Sequence, residues 1–375
     1  MRWFGGKAAR EGARPALSRV GSVFSYGDGG AGGWPQGYEA QVREGYCRNP
    51  VAQRAVKLLG EAVAGAPLVA SDPALLSLVT ARSGGQSLLD TVAAQLLLHG
   101  NVYVQVLRDG EGRPAELFAL RPERVAVEPD ATGWPAAYRY TVGVTGTRLG
   151  ADPVRPELIH LRAFNPVDDH YGLGCLGAAA GAIALHNAAT RWNKALLDNA
   201  ARPSGALVYE PGDGSTLSSD QFARLRAEME AGFAGAGNAG RPMLLEGGLK
   251  WQAMSLSPAD MDFVGLKAAA AREIALAFGV PPMLLGLPGD ATYANYREAN
   301  RALWRLAVLP LAGLLLDGIA DGLRGGFPDA RLGIDLNKVP ALAEDRQLLW
   351  QSVSGADFLS DAEKRAMLGI EEAGA

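Results

Sequence analysis

The stretch from Ser257 to Gly326 constrains the fold most, because two helical patterns here flank a proline stop and a polar loop. Ser257-Pro258-Ala259-Asp260 is typical of a helix start: serine caps, proline at the first position loses no hydrogen bond, and aspartate suits the positive end. We predict a helix from Met261 to Val280. Pro281-Pro282 end it, since proline has no N–H and excludes helical geometry just before itself.

A polar and aromatic loop, Leu287 to Tyr296, follows the stop and leads into a second helical pattern that reaches Leu323. Pro310 lies inside this pattern, and because proline removes a backbone hydrogen bond we predict a kink between Leu306 and Pro310. The apolar run from Leu306 to Leu316 is shorter than the roughly 20 residues that a bilayer requires. We therefore expect no membrane span.

Charge and cysteine content exclude several classes of protein. The net charge is −4 and no cluster of Lys and Arg appears, which argues against a high-affinity nucleic-acid binder. The two cysteines, Cys47 and Cys175, are too few for a disulfide framework and fit a reducing cytosol. The N-terminus has basic residues but no apolar core after them, so we expect no signal peptide and a chain that stays inside the cell.

The first half of the chain predicts an arm followed by an α+β unit. Residues 1–45 are rich in glycine, which favours a flexible arm. Asn49-Pro50 predicts a helix start, and Leu88 to Leu98 predicts a second helix that Gly100 ends. From Asn101 onward apolar and polar residues alternate in short runs divided by turns, which predicts a small mixed sheet with helices at its edge.

The second half begins with a long helix from Leu176 to about Ala200, whose many alanines allow another helix to approach closely. Gly205 to Tyr209 predicts a strand. Ser218 and Gln221 form the pattern of a capping box and predict a helix to about Phe233. Two more strands are predicted, at Met243 to Leu245 and at Leu249 to Met254.

The order of these elements resembles the portal proteins of tailed bacteriophages, in the branch typical of long non-contractile tails. Local sequence agrees in Phe278-Gly279-Val280-Pro281-Pro282, in Leu284-Leu285-Gly286 and in Ala291-Thr292-Tyr293-Ala294-Asn295. Leu98-His99-Gly100-Asn101-Val102-Tyr103 and Asn199-Ala200-Ala201-Arg202-Pro203-Ser204-Gly205 are also similar to the family. The likeness extends from about Asn49 to Ile370, and the block from Phe278 to Asn295 is its most specific part.

The resemblance implies an elongated α+β subunit of a ring, with about twelve copies at one capsid vertex. It divides the chain into consecutive regions: the N-terminal arm 1–45, a mixed α/β wing 46–173, a first stem helix 174–202, a small α/β clip 203–256, a second stem helix 257–280, a tunnel loop with a kinked wing helix 281–338, and a short helical crown 339–375.

The resemblance also implies candidate site residues. The tunnel loop that contacts DNA would present Asp290, Thr292, Tyr293, Asn295 and Tyr296. The stem candidates are Trp192, Lys194, Lys267 and Arg272, and the clip residues facing a partner are Arg224, Arg226, Glu228 and Glu230. Because every neutralised phosphate adds affinity that must be broken for DNA to slide, a loop without Lys or Arg before Arg297 suits sliding contact.

The partners implied by the resemblance are other copies of the chain, the major capsid protein, the large terminase that acts as packaging ATPase, a head-to-tail adaptor and double-stranded DNA. The ring would be the channel for DNA packaging and ejection. It would lie in a virion or phage-like particle, a gene transfer agent included, that is assembled in the bacterial cytoplasm. No cofactor, metal or membrane is expected. The chain has no phosphate-binding loop and no nucleophile elbow, so the ATPase must be another protein.

Two interpretations from other classes stay open at this stage. His160, Asp168, Asp169 and His170 have metal-capable side chains, and a cytosolic metal-assisted hydrolase is the main alternative function. A structural turn explains the same residues. A structural adaptor without a channel is a third possibility.

The candidate residues also have ordinary structural explanations. Tyr293 and Tyr296 fit packing against the kinked helix, and Trp192, Trp251 and Trp304 fit core or subunit-interface packing. The charges from Arg224 to Glu230 fit a solvated helix face.

Overall fold

Local capping signals in the sequence set the helices of the first half. The computed structural model describes residues 17, 37–83, 85–198, 205–210, 216–233, 249–253, 262–287 and 293–370. In chain order the helices are Tyr38–Val42 (α1), Pro50–Ala64 (α2), Pro73–Thr80 (α3), Leu88–His99 (α4), Cys175–Asp198 (α5), Ser219–Phe233 (α6), Phe263–Ala277 (α7), Tyr293–Leu303 (α8), Leu309–Leu323 (α9), Ala343–Ser354 (α10) and Asp361–Leu368 (α11).

The strands are short and pair only antiparallel among the described residues. They are Leu68–Ala70 (β1), Arg82–Ser83 (β2), Gln86–Ser87 (β3), Asn101–Arg108 (β4), Pro114–Leu120 (β5), Val125–Pro129 (β6), Pro135–Val142 (β7), Thr145–Gly150 (β8), Leu158–Arg162 (β9), Gly205–Tyr209 (β10), Leu249–Ala253 (β11) and Leu332–Ile334 (β12). The predicted α+β class is confirmed. The predicted small mixed sheet is wrong, because the strands from β4 to β9 form two three-stranded antiparallel sheets, β5-β4-β9 and β6-β7-β8. The other described strands form the two-stranded pairs β1-β12, β2-β3 and β10-β11.

Several predicted helix ends match the observed caps. The Asn49 side chain accepts hydrogen bonds from the backbone N–H groups of Val51 and Ala52 at the start of α2. Gly100 ends α4 in the left-handed conformation, with φ of 81°. Ser218 and Gln221 exchange hydrogen bonds before α6, which is the predicted capping box.

The core is built mainly by α2, α4, α9 and one face of the first sheet. Glycines in α9 let this helix lie directly on β9: a Cβ at Gly318 would stand 2.3 Å from the Leu161 side chain, and one at Gly322 would stand 2.5 Å from Ile159. A second, smaller cluster under the other sheet centres on Tyr103, Tyr138 and Leu158. These contacts fix the two sheets and the long helices in one framework.

The last residues of the predicted N-terminal arm are helical. Residues 38–45, assigned to a flexible arm, form α1 and the first part of a π-helical segment, Arg43–Cys47, with Gln41 and Gly45 buried. A Cβ at Gly45 would stand 2.5 Å from the Leu176 side chain, so this segment packs closely on α5. Apart from Leu17, residues 1–36 lie outside the described residues.

A π-helical segment, Trp304–Val308, joins α8 to α9 where the kink was predicted. Pro310 cannot donate a hydrogen bond, and the wider π turn accommodates the interruption of the ladder. The combined helix Ala294–Leu323 has 30 residues and is long and apolar enough to cross a membrane by length and composition. Leu315, Leu316 and Ile319 are buried in the core, and we attribute the apolar character of α9 to that packing.

Helix α7 differs from its predicted bounds. It begins at Phe263, where the Asp262 carboxylate accepts a hydrogen bond from the N–H of Gly265 and caps the helix. Asp262 has a φ of 37°, a left-handed conformation that Asp tolerates better than most residues. The predicted start at Ser257 and the predicted strand Met243 to Leu245 lie outside the described residues.

Candidate functional site

The candidate site centres on the antiparallel helix pair α5 and α7. Trp192 near the end of α5 stacks on Phe263 at the start of α7, with ring centroids 6.1 Å apart. The inner faces of both helices are lined by alanine, including Ala179 and Ala182 on α5 and Ala271 on α7, all buried. Small side chains let the two backbones approach closely, as the alanine-rich sequence predicts.

The stem candidates on this helix pair differ in the solvent exposure of their side chains. Trp192 is 49% exposed in the single chain, so the core interpretation of this residue is wrong. Lys194 and Arg272 are exposed, and Lys267 is half-buried near His186. Burial and the nearby Lys267 charge lower the pKa of His186, and the Asn187 side chain opposes this shift. His186 is therefore neutral at neutral pH.

A buried asparagine pair fixes α5 to the start of α2. Asn49 Nδ2 donates to Asn187 Oδ1 at 2.9 Å and lies 3.2 Å from His186 Nδ1. Asn187 Nδ2 donates to the backbone oxygen of Glu44 at 3.0 Å. Sequence reasoning identified Asn49 only as a helix cap, because nothing local in the sequence indicates its contacts with residues almost 140 positions away.

The predicted tunnel loop is partly described. The chain leaves α7 through Gly279, a 3₁₀ turn Pro282–Leu285 and Gly286, and both glycines have positive φ. Asp290 and Thr292 lie outside the described residues, as does the side chain of Tyr293. Asn295 and Tyr296 are exposed on the first turn of α8. The side chain of Tyr296 is 51% exposed, so the alternative that it packs against the kinked helix is wrong.

Arginine side chains that follow the loop form ion pairs with carboxylates of α10. Glu344 on α10 accepts hydrogen bonds from both Arg297 and Arg301 on α8. Arg301 also lies 3.4 Å from Asp345, and Arg305 lies 4.0 Å from the same carboxylate. Arg301 is largely buried, with a side-chain exposure of 19%. This ionic cluster fixes α8, and with it one end of the loop, to α10.

The predicted clip residues lie on α6. Arg224 and Arg226 are exposed, and the side chains of Glu228 and Glu230 lie outside the described residues. The strands β10 and β11 form an antiparallel pair from Gly205↔Ala253 to Tyr209↔Leu249. Exposed Arg224 and Arg226 fit both a solvated face and a partner-facing surface.

The proposed hydrolase residues have structural roles. Asp168 accepts hydrogen bonds from the backbone N–H groups of His170 and Tyr171, which makes it the organiser of a turn. His160 stacks on Tyr103 with ring centroids 4.3 Å apart. No group of three metal-capable side chains occurs in the part of the chain that the structure describes. The metal site is therefore not supported.

The feature that sequence reasoning missed is a buried polar cluster around Asn101. Asn101 Oδ1 accepts from the Gly172 N–H at 2.8 Å and from His160 Nε2 at 3.1 Å, so His160 carries its proton on Nε2. Asn101 Nδ2 lies 3.1 Å from His99 Nδ1 and donates to the Gly172 oxygen at 3.2 Å. The cluster holds the loop before α5 against the end of α4.

Burial dominates the electrostatics of this cluster. It lowers the pKa of His99 to about 3, and it lowers the pKa of His160 to about 3 with help from the Arg162 charge. It also raises the pKa of Tyr103 well above its ordinary value. These groups are uncharged at neutral pH, and one nitrogen of each histidine ring has a hydrogen-bond partner in Asn101, which lowers the cost of burial. The resembling segment Leu98 to Tyr103 thus has a structural explanation.

Comparisons with known proteins agree on one family. The model of the "Phage portal protein" family matches residues 50–369. A protein of Rickettsia bellii (strain RML369-C) is 38% identical over 346 residues, which cover 87% of this chain and 88% of that protein.

Solved structures show the same likeness. The chain is 49% identical to a chain in the structure titled "Virion of native gene transfer agent (GTA) particle", with a TM-score of 0.70 and coverage of 92% and 96% of the two chains. It is 50% identical to a chain in "Neck of native GTA particle computed with C12 symmetry", also with a TM-score of 0.70 and coverage of 90% and 94%.

Proposed function

The chain belongs to the phage portal protein family, and from this premise we propose that twelve copies form a ring at the portal vertex of a virion or phage-like particle. The ring is the channel through which double-stranded DNA enters during packaging and leaves during ejection. The observation that carries the proposal is the likeness, at 50% identity over 90% of this chain, to a chain in a GTA neck computed with C12 symmetry.

The described elements suit the parts of such a ring. The pair α5 and α7 forms the stem around the channel, and β10, α6 and β11 form the clip. The two three-stranded sheets with α2, α4 and α9 form the wing, and α10 and α11 form a short crown. The loop between the 3₁₀ turn and α8 lies between stem and wing in the sequence, and we place it at the channel as the tunnel loop.

Charge near the tunnel loop supports passage of DNA without tight binding. Each phosphate that a cation neutralises adds affinity, and that affinity must be broken at each step of sliding. Arg297 and Arg301 form ion pairs with Glu344, which lowers their capacity to bind phosphate. The DNA contacts of the loop then come from polar and aromatic residues, namely Asp290, Thr292, Tyr293, Asn295 and Tyr296.

The proposed partners follow from the position of each part. The clip, with Arg224, Arg226, Glu228 and Glu230, faces the large terminase during packaging and the head-to-tail adaptor afterwards. The wing faces the major capsid protein. The protein itself has a structural and not a catalytic role, because Asp168 and His160 serve the fold and the family model describes portal proteins.

Native mass spectrometry of the purified full chain tests the ring. A chain of 39.3 kDa in twelve copies gives a particle of about 470 kDa, and negative-stain images of the same sample should show a central hole. A protein that stays a monomer or small oligomer at every concentration, or that hydrolyses a substrate with added Zn²⁺, would contradict the proposal.

A further inference from the structure

Helix α5 carries a seam, a row of residues along one face, that the described part of its own chain leaves at least partly exposed. Residues on one face follow each other at alternating spacings of three and four positions, and this seam consists of Ala178, Gly181, Leu185, Ala188, Trp192 and Ala195. Leu185 is 42% exposed and Trp192 is 49% exposed. The opposite face, with Leu176 and Ile183, is buried against the rest of the chain. Spacings of three and four are those by which one helix packs along another.

Helix α7 presents a corresponding seam on its outer face. Gly265, Ala269, Arg272 and Leu276 follow each other at spacings of four, three and four positions, and Leu276 is 78% exposed. The inner face of α7, with Ala271 and Ile274, is buried. Arg272 can lay its aliphatic stem along an apolar partner while its charged end remains in water.

We propose that the α5 seam of each copy packs against the α7 seam of the next copy around the ring. This proposal rests on the proposed ring and identifies the residues through which neighbouring copies close it. A closed cyclic ring needs heterologous contacts, in which one surface meets a different surface of the neighbour. The two seams belong to different helices of one chain, so each copy offers one seam to each of its two neighbours.

The side-chain sizes of the two seams are complementary at the start of α5. Trp192 and Phe263 are at the same level in the α5–α7 pair of one chain, which sets the antiparallel alignment of the two helices. If the neighbour's α7 keeps this level, its Leu276 lies beside Ala178 and Gly181. A large exposed side chain therefore meets a methyl group and a position without a side chain.

The same alignment matches large and small residues farther along α5. It places Leu185 beside Ala269 of the next copy and Trp192 beside Gly265 of the next copy. Here the large residues belong to α5 and the small ones to α7, the reverse of the pairing at the start of α5. Large residues that meet small ones fill the space between helices without voids.

A charged substitution in the seam tests the interface. Leu185→Arg introduces a charge that the ring would bury without a partner, and we expect the variant to remain folded by circular dichroism but to lose the ring species in native mass spectrometry. Phe222→Arg on α6 is the matched control, since Phe222 is also an exposed large apolar residue on a helix, and it should retain the ring. A Leu185→Arg variant that assembles like wild type would overturn the interface.

Cysteine pairing tests the two faces directly and needs no destabilising charge. In a chain with Cys47→Ser and Cys175→Ala, one variant carries Ala188→Cys and another carries Ala269→Cys. After the two are mixed, assembled and oxidised, a disulfide-linked dimer should form, and neither variant should form it alone because unlike faces meet.

Dimers from a single variant alone, or rings that give no dimer after mixing, would overturn the interface and leave the ring intact. A parent chain that forms no ring at all would instead contradict the proposed function. The two failures are thus distinguishable.

Discussion

The buried Asn101 side chain should be among the most costly to remove. In Asn101→Ala, the Gly172 N–H and the His160 Nε2–H lose the oxygen that accepts from them at 2.8 and 3.1 Å. Asn101 is fully buried, so water cannot replace that oxygen without a rearrangement. A buried donor left without an acceptor costs about 1 to 3 kcal/mol, and two such donors give a destabilisation of about 2 to 6 kcal/mol.

Urea unfolding, followed by circular dichroism, measures this effect against a matched control. Gln351→Ala replaces an exposed amide side chain on α10 and should change stability by no more than about 0.5 kcal/mol. Hydrogen exchange adds a local readout, because the Gly172 amide should exchange faster in Asn101→Ala. Equal urea midpoints for the two variants, with unchanged exchange at Gly172, would refute the assignment of Asn101 as the centre of the cluster.

Three further predictions concern pH, backbone space and the ionic cluster. The pKa of His99 and of His160 falls to about 3 in the folded chain, so the unfolded state binds protons first as the pH falls. Stability is therefore complete above about pH 6.5 and should fall by about 1.4 kcal/mol per pH unit for each histidine as the pH drops toward 3. Urea midpoints at about pH 7.5 and 5.5 measure this loss of stability, and a flat profile would contradict it. Gly100→Ala places a Cβ 2.5 Å from the Gly174 nitrogen and should lower stability more than Gly143→Ala does. At Gly143 φ is also positive, but nothing lies within 4 Å of the added Cβ and the loss of stability is about 1 to 2 kcal/mol. Equal thermal midpoints for the two variants would contradict this. Glu344→Arg places a like charge beside Arg297 and Arg301 and should raise the rate of hydrogen exchange in residues 293–303. The conservative Glu344→Asp should change this rate less. Unchanged exchange in both variants would contradict the coupling of α8 to α10.

Signals within a few residues of each other predicted most of the helices and turns. The cap at Asn49, the stop at Gly100 and the capping box at Ser218 each depend on side chains next to the backbone that they satisfy. Contacts between distant positions were not predictable in the same way. The pairing of β1 with β12 joins Leu68 to Ile334, and the Asn101 cluster depends on a loop 71 residues away.

The helical pattern around Pro310 shows a second physical limit. A regular helix from Tyr296 to Leu323 would place Leu303 and Leu306 on one face, but Leu306 is 78% exposed. The π-helical segment Trp304–Val308 uses a wider turn, so it shifts the faces of the residues after it. Val308 and Ala312 are buried instead, and periodicity alone cannot locate such a shift.

The candidate site was predictable mainly through the family resemblance. Residue chemistry alone favoured His160, Asp168, Asp169 and His170 as an alternative site, since metal-capable side chains look alike whether they bind an ion or organise a turn. The structure separates these roles because the Asp168 carboxylate accepts from two backbone N–H groups. The residues proposed for the channel have no comparable local pattern, and their proposed roles depend on assembly.

Electron cryomicroscopy of the assembled full-length chain tests the central claim most directly. We predict a twelve-fold ring with a continuous channel, α5 and α7 around it, and the α5 seam of one copy against α7 of the next. A closed assembly without a channel, or a ring whose channel is lined by elements other than α5, α7 and the 287–296 loop, would contradict it.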